Sequence, residues 1–493
     1  MTQKEMQSIL EIGTAISSEK DYNRLLEMIL NRIMELTHCD AGTLYLADGD
    51  LLRFKIMRNN TMNTYEGGDG KEPNLPPVKM SRENVCSMCY LENRTICIEN
   101  VRTSTEYDFS GPIRYDAMTG YHTQSMLVVP MHNRQEERLG VIQLINAMDA
   151  DENVCAFSLE IIPVVESIAS QAAITVQNVL YIENIKGLFE SFVRVMSSAV
   201  DERTPYNASH TRHMVEYGRC FIDYLNEKAK EAGRPVLFHA DHKHELLMSV
   251  WLHDIGKLVI PLEVMNKDAR LLPEQKTAIL HRFEKIRLLT QIASLKGELT
   301  FEAMQERVEE VKKAQETVLR ANTAGFCTDD LRDAVSRIHE KTYTEEDGSE
   351  RPWLEDEEFQ MLMIRKGTLS ESERAVMESH VVITDKLLSE IHFSKELSHV
   401  REWAASHHEL LDGSGYPKHL TAEQIPMEVR IITILDIFDA LVADDRPYKP
   451  GMPVEKALTI LDSMANKEGK LDPELTRLFV ESQCWEKVQN LKK

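Results

Sequence analysis

The sequence predicts a multidomain protein: an N-terminal α+β sandwich, a long connecting helix, and an all-α C-terminal domain with a helical insertion. Three observations carry this. At 493 residues the chain exceeds what one hydrophobic core supports. Strand-like runs separated by turn residues fall before residue 150. From about residue 197 onward the apolar residues recur at helical spacing.

Composition narrows the function. A content of 42% hydrophobic and 28% charged residues is that of an ordinary soluble globular protein. No apolar run approaches the ~20 residues that span a bilayer. The opening MTQKEMQSILEIG is polar and amphipathic, unlike a signal peptide, so a cytoplasmic location is expected. A formal charge of -23 excludes a protein that coats nucleic acid. A small anionic ligand held by local positive charge stays open. Eight cysteines spread along the chain fit reduced thiols. Cys86, Cys89 and Cys97 lie close together, as in a metal or redox site, but no second pair completes a zinc set, so small buried thiols plus one exposed pair are expected.

Residues 1–36 carry helical periodicity (Ile9, Leu10, Ile12, then Leu25, Leu26, Ile29, Leu30, Ile33), predicting two helices broken near Ser17–Asp21. Strands are predicted at 42–48, 51–57, 95–101, 125–132 and 139–148, with turns at GDG and EGGDG between some of them. Such strands between flanking helices give a sandwich of about 150 residues. Residues 159–196 contain one early proline and one late glycine, with apolar residues at Ile162, Val165, Ile168, Ala169, Ala172, Val176, Val179 and Leu180. This reads as one helix whose stripe pairs with its twin in a homodimer, the alternative being packing on its own sheet. The segment 267–365 is charged and helical in pattern, and ends in a polar loop, TYTEEDGSERPW.

Candidate ligands then follow in order: His210, the pair His253 and Asp254, Lys257, His380, the pair His407 and His408, and Asp436. Imidazoles and carboxylates suit iron, manganese or zinc. An adjacent His-Asp pair can serve two metals, with the carboxylate bridging them. Two metals ~3.5–4 Å apart activate water and clamp a phosphodiester for in-line attack. Lys257 can neutralise charge on the phosphoryl oxygens. A lone histidine is more often a core or surface residue. The runs HDIGK and HHELLDGSGYP are more specific, because packing alone does not require paired ligands on helices.

Two resemblances follow from these runs. SMLVVPM, LGVIQLINA, AFS and ASQAAITVQNVLYIEN resemble the second half of a GAF domain, over roughly residues 20–182. That family binds small ligands, often cyclic nucleotides, or dimerises. Asn146 and Phe157 match two of its nucleotide-signature positions, but Ala147 replaces the lysine, which speaks against nucleotide binding. HDIGK, with HHELLDGSGYP and LDIFDALVADDRPYK, resembles the HD-GYP branch of the HD phosphohydrolases, over about 197–265 and 365–460.

The implied architecture is a GAF sensor domain at 1–182, a signalling helix at 159–196, and an all-α HD-GYP domain at 197–493 interrupted by the insertion 267–365. The implied activity is metal-dependent hydrolysis of cyclic di-GMP to linear pGpG under GAF control, with onward cleavage to GMP left open. The implied metal ligands are His210, His253, Asp254, His380, His407, His408 and Asp436; Asp254 and Lys257 are the catalytic pair, and Lys257, Tyr416, Arg446 and Lys449 contact substrate. A homodimer, a GAF ligand and a cyclase-domain partner at the Gly413–Pro417 loop are also implied.

Three departures bear on these expectations. Tyr206 replaces the glutamate of trinuclear members, so two iron or manganese ions are expected. The insertion makes His281 a rival of His380, although the text around His380 runs on into the paired histidines. His213 stands where the family has arginine, with Arg212 shifted by one. Rival functions are a phosphodiesterase for another cyclic dinucleotide, such as cyclic GMP-AMP, and a catalytically silent signalling scaffold.

Overall fold

A computed structural model describes residues 15, 19, 21–68, 73–133, 135–203, 209–443 and 451–491. The expected first helix, the departure at Tyr206, and Arg446 and Lys449 lie outside the described residues. The chain divides into two compact units, 1–189 and 190–493. Among the described residues no helix is long and apolar enough to cross a membrane.

The first unit is built on one antiparallel sheet. Its elements are α1 (Tyr22–Thr37), β1 (Cys39–Asp48), β2 (Leu51–Asn59), β3 (Thr64–Gly67), β4 (Val78–Lys79), α2 (Val85–Glu92), β5 (Ile96–Ile98), α3 (Ser110–Thr119), β6 (Met126–His132), β7 (Arg138–Met148) and β8 (Val154–Cys155). The strand order is β3-β2-β1-β7-β6-β5, with β4 on β2 and β8 on β7. Side chains alternate across the sheet, as strand geometry requires. Leu44, Leu127, Val129, Ile142 and Leu144 join one core with α1, while Tyr45, Met126, Val128 and Val141 join another with α2. The pair expected to be exposed, Cys86 and Cys89, is instead buried in the second core because α2 packs its apolar face there, and burial pushes both thiols up.

A long helix, α4 (Ile162–Asp201), follows. The stripe expected to pair with a second chain is spent inside the first unit. Val165, Ile168, Ala169, Ala172 and Val176 are buried in the α1 core, with Val179 and Leu180 packed against it. The apolar face of the sheet is covered by this stripe together with α1.

Beyond α4 the second unit contains α5 (His210–Glu231), α6 (Ala240–Leu252), a 3-10 segment (Ile255–Val259) and a short α7 (Leu262–Met265). After the insertion come α12 (Glu371–Leu388), α13 (Val400–Ala404), α14 (Met427–Val442), α15 (Val454–Asn466), α16 (Pro473–Ser482) and α17 (Cys484–Leu491). One core joins α5, α6 and α14–α17 through Phe221, Val250, Leu435, Phe438, Leu461 and Phe479. The hydrophobic run of α14 is buried all round, which fixes it as the central helix.

The insertion has its own core. It comprises α8 (Pro273–Leu295), α9 (Phe301–Thr323), α10 (Asp329–His339), the hairpin β9 (Thr342–Thr344) and β10 (Glu350–Pro352), and α11 (Asp356–Leu362). Phe283, Val318, Val335, Trp353 and Leu362 pack together there. The segment expected as a polar loop is this hairpin, closed at Asp347-Gly348, and its exit buries Trp353 completely. At the neck, buried Arg270 donates to the carbonyls of Ile364 (2.9 Å), Ala324 (2.6 Å) and Ala321 (2.5 Å). Lys267 pairs with Glu373 at 2.7 Å across the same neck. These contacts bring the two ends of a segment of about 100 residues together, so the motifs on either side remain neighbours.

Candidate metal centre

Each candidate ligand sits at the end or on the inner face of a core helix. His210 opens α5, and His253 caps α6 with Asp254 immediately beyond it. The paired residues are therefore not within helices, as the sequence suggested, but at helix ends. His407 and His408 likewise lie in the turn after α13. A helix end lets two successive side chains point to one place, which a helix interior does not. His380 lies on α12, whose start is fixed by the Ser370–Glu373 capping box. Asp436 projects from α14.

The Asp254 carboxylate is the centre of the arrangement. Its Oδ2 is 3.3 Å from His253 Nε2 and 3.8 Å from His210 Nε2. Its Oδ1 is 3.4 Å from His380 Nε2 and 3.8 Å from His407 Nε2. Asp436 spans the same two groups, with Oδ1 3.4 Å from His210 Nε2 and Oδ2 3.6 Å from His408 Nδ1. The donor atoms of His210, His253 and Asp254 lie within 4.8 Å of one another, as do those of His380, His407 and His408. Two donors bound at ~2.1 Å to one ion stand at most about 4.2 Å apart, a limit that the contacts of Asp254 with the four histidines, from 3.3 to 3.8 Å, respect.

The protonation pattern suits cations. His253, His380 and His407 each place Nδ1 2.7 Å from a carbonyl oxygen three residues earlier, Val250, Met377 and Ala404 respectively. A carbonyl only accepts, so Nδ1 carries the proton and Nε2 keeps its lone pair. Those three Nε2 atoms and Asp254 Oδ1 are buried without a hydrogen-bond partner. Orphaned buried acceptors are costly, and cations between them would satisfy all four. Burial lowers His380 to about 4 and holds His407 well below its ordinary value, so both rings are neutral.

The carboxylates stay ionised. Burial opposes the charge on Asp254, but His253 and Lys257 outweigh it and hold the group well below the carboxylate range. Burial likewise opposes a charged His210, and the carboxylates of Asp436 and Asp439 outweigh it, lifting His210 to about 10. The site thus favours positive charge at His210 Nε2, where a metal would replace the proton. Lys257 Nζ contacts Asp254 Oδ2 at 2.5 Å.

Several residues that build the site were not among the ligands expected from the motifs. Asp439, one turn after Asp436, accepts from His210 Nδ1 at 2.7 Å and lies 3.5 Å from His213 Nδ1. Thr384 Oγ1 accepts from Gly256 N at 3.0 Å and donates to the His253 carbonyl at 3.1 Å, joining α12 to the HDIGK run. Thr433 Oγ1 donates to the His407 carbonyl at 2.9 Å. Only the helical repeat from Asp436 to Asp439 was available as a clue. Asp439→Asn, which keeps shape but weakens the hold on the ring, is expected to lower metal affinity about 10–100-fold, read by chelator competition.

The signature loop folds back on the paired histidines. Tyr416 packs against His408 with ring centroids 4.8 Å apart and planes tilted by 38°, and its N–H donates to the His408 carbonyl at 3.2 Å. Buried Glu409 accepts from the N–H groups of Lys418 (2.7 Å) and Leu420 (2.9 Å). At Gly415 a Cβ would stand 2.3 Å from Leu410 N, so only glycine allows this fold-back. His281 is exposed on α8, within the insertion. In the first unit, Asn146 is occupied internally, donating to the His122 carbonyl at 2.8 Å and the Tyr121 hydroxyl at 3.1 Å. Phe157 is buried in the α1 core.

Comparison with known proteins agrees with both units. Residues 21–176 match the family model described as GAF domain, and 357–475 match HD domain. Over 113 residues the chain is 39% identical to 3'3'-cGAMP-specific phosphodiesterase 3 of Vibrio cholerae serotype O1, covering 23% of each chain. Over 120 residues it is 37% identical to a Cyclic di-GMP phosphodiesterase of Thermotoga maritima, covering 24% of this chain and 31% of that one. A longer match of 279 residues, 27% identical, to 3'3'-cGAMP-specific phosphodiesterase 1 of Vibrio cholerae covers 54% of this chain and 58% of the relative. The chain thus spans between about a quarter and three fifths of the length of these relatives. The chain thus carries a GAF domain ahead of an HD domain, and its HD part is similar to those of proteins named as cyclic di-GMP and 3'3'-cGAMP phosphodiesterases.

Proposed function

We propose that the second unit is a metal-dependent phosphodiesterase that hydrolyses cyclic di-GMP, with linear pGpG as first product. The observation that carries this is the convergence of four histidines, His210, His253, His380 and His407, on the two oxygens of the buried Asp254 carboxylate, with Asp436 facing His210 and His408 beside them. Two divalent cations, iron or manganese, would supply Lewis acidity and an activated water there. His210 and His253 would hold one, and His380, His407 and His408 the other. Asp254 and Asp436, each facing both groups, would span the two. Lys257 keeps positive charge beside the carboxylate, where it can meet a phosphoryl oxygen. Tyr416, braced on His408, forms one wall against which a base can stack. Arg446 and Lys449 are proposed as further substrate contacts. The first unit is proposed as the regulatory unit. Its ligand, if one is held, is not expected to use Asn146, whose amide is already engaged.

A second reading, hydrolysis of 3'3'-cGAMP, is favoured by the longest match among the relatives named above. Side-by-side turnover of both dinucleotides by the metal-loaded full chain separates the two. About two metals per chain and faster turnover of cyclic di-GMP are expected. Faster turnover of 3'3'-cGAMP would move the assignment to the second reading. A chain that binds no metal and turns over neither would leave a signalling scaffold.

A further inference from the structure

We propose that the groove between α15 and α16 binds a linear polyamine, a methylene chain carrying several ammonium groups. The groove has a volume of about 730 Å³, within the range of small-molecule sites. None of the residues lining it is a candidate metal ligand. Its walls run from Glu455 to Asn466 and from Pro473 to Glu481, so the two helices lie side by side along their length. The short connection 467–472 makes them antiparallel. That sets Glu455 and Glu481 at one end of the groove and Asp462 and Glu474 at the other. On each helix the two acids are two turns apart, about 10 Å along one face.

Charge decides the class of ligand. The four carboxylates face a single guanidinium, that of Arg477. It spans the two acids of its own helix, with Nη1 2.5 Å from Glu481 and Nη2 3.2 Å from Glu474. Asp462 accepts from the Asn466 amide at 2.8 Å, and among the described residues no cation pairs with it or with Glu455. A second observation is independent of charge. Thr476, which lines the same groove, is 2% exposed, and its Oγ1 has no hydrogen-bond partner. A helical threonine commonly spends its hydroxyl on the carbonyl four residues earlier, as Thr459 does on Glu455 at 2.8 Å. An unspent buried hydroxyl marks a place for a ligand's N–H. Leu458 and Val480, both half-buried, line the groove between its acidic ends. A polyamine meets every part: its methylenes cover Leu458 and Val480, its terminal ammonium groups reach the acid pairs, and an N–H between them reaches Thr476. A bare divalent cation would leave the apolar pair unused, and a monoamine would leave one acid pair unused.

The test is calorimetric titration of the full chain with spermidine at fixed ionic strength. One saturable site is expected, with butylamine, which has a single ammonium, at least about tenfold weaker. Glu455→Gln with Asp462→Asn should weaken spermidine about tenfold or more. The same change of charge at Glu306→Gln with Glu309→Gln, on α9, should leave it unchanged. Arg477→Gln, which frees Glu474 and Glu481, should tighten binding. Thr476→Val keeps the shape of the side chain and should weaken binding about fivefold. The melting temperature of that unliganded variant should not fall, because its hydroxyl has no partner to lose. Absence of saturable spermidine binding would overturn the proposal. So would equal weakening by the α9 pair, which would mean diffuse attraction to an acidic chain. Affinity untouched by Thr476→Val, in a chain that melts like the parent, would overturn it as well.

Discussion

Asp254→Asn is expected to strip the protein of metal and lower turnover at least about 10³-fold while leaving it folded. The substitution conserves volume, so the packing around a carboxylate that is 5% exposed is kept. It removes the charge that faces His210 and His253 through one oxygen and His380 and His407 through the other. It also leaves Lys257 as a buried cation without its ion partner. Elemental analysis, turnover and circular dichroism on one preparation check the result. Full metal content, or turnover within about tenfold of the parent, would remove Asp254 from its central role.

Gly256→Ala is expected to be nearly as damaging, although glycine can ligate nothing. A Cβ at this position would stand 1.9 Å from the His380 carbonyl oxygen and 2.7 Å from Thr384 N. Both neighbours are backbone of α12, so neither can rotate aside. The 3-10 segment and α12 would have to separate, parting His253 and Asp254 from His380 and straining both hydrogen bonds of Thr384. Overpacking of this kind costs about 1–3 kcal/mol or more. A lowered melting temperature together with metal loss should follow. An alanine variant with parent-like stability and metal content would show that this close approach is dispensable.

The glycine shows how differently the parts of this site could be read. Within HDIGK, the proposed ligands His253 and Asp254 announce themselves by their chemistry, and the fourth residue of the motif carries none. Its requirement arises from α12, more than 120 residues later, and is visible only once the two segments touch. Asp439 is similar: on paper it is one acid among 80 acidic residues, and only folding places it on His210 Nδ1. His380 and His281 were separable by neighbouring text but not by chemistry. The insertion settled their surroundings by folding around its own core, leaving His281 exposed and His380 buried beside Asp254.

Among the larger elements, the β6 and β7 strands were legible because their residues alternate between two cores or run continuously apolar. The hairpin at 342–352 was not. Its strands are three residues each and polar, and it is Trp353 beyond them that anchors the turn. The long helix was legible as a helix but not in how its faces are used. An apolar stripe can pair with a second chain or cover the chain's own sheet, and period alone cannot say which.

By itself the sequence determined the local chemistry: which residue types can ligate, which segments are helix or strand, and that two domains follow one another. Those are short-range properties, set by periodicity, propensity and the identity of a few side chains. Only the tertiary structure decided that two groups of candidate ligands face one carboxylate, that Asp439, Thr384 and Gly256 brace them there, and that the apolar stripe of α4 is buried within the first unit. Each of these depends on contacts between residues far apart in the chain, and no local pattern encodes which distant backbone will arrive beside it.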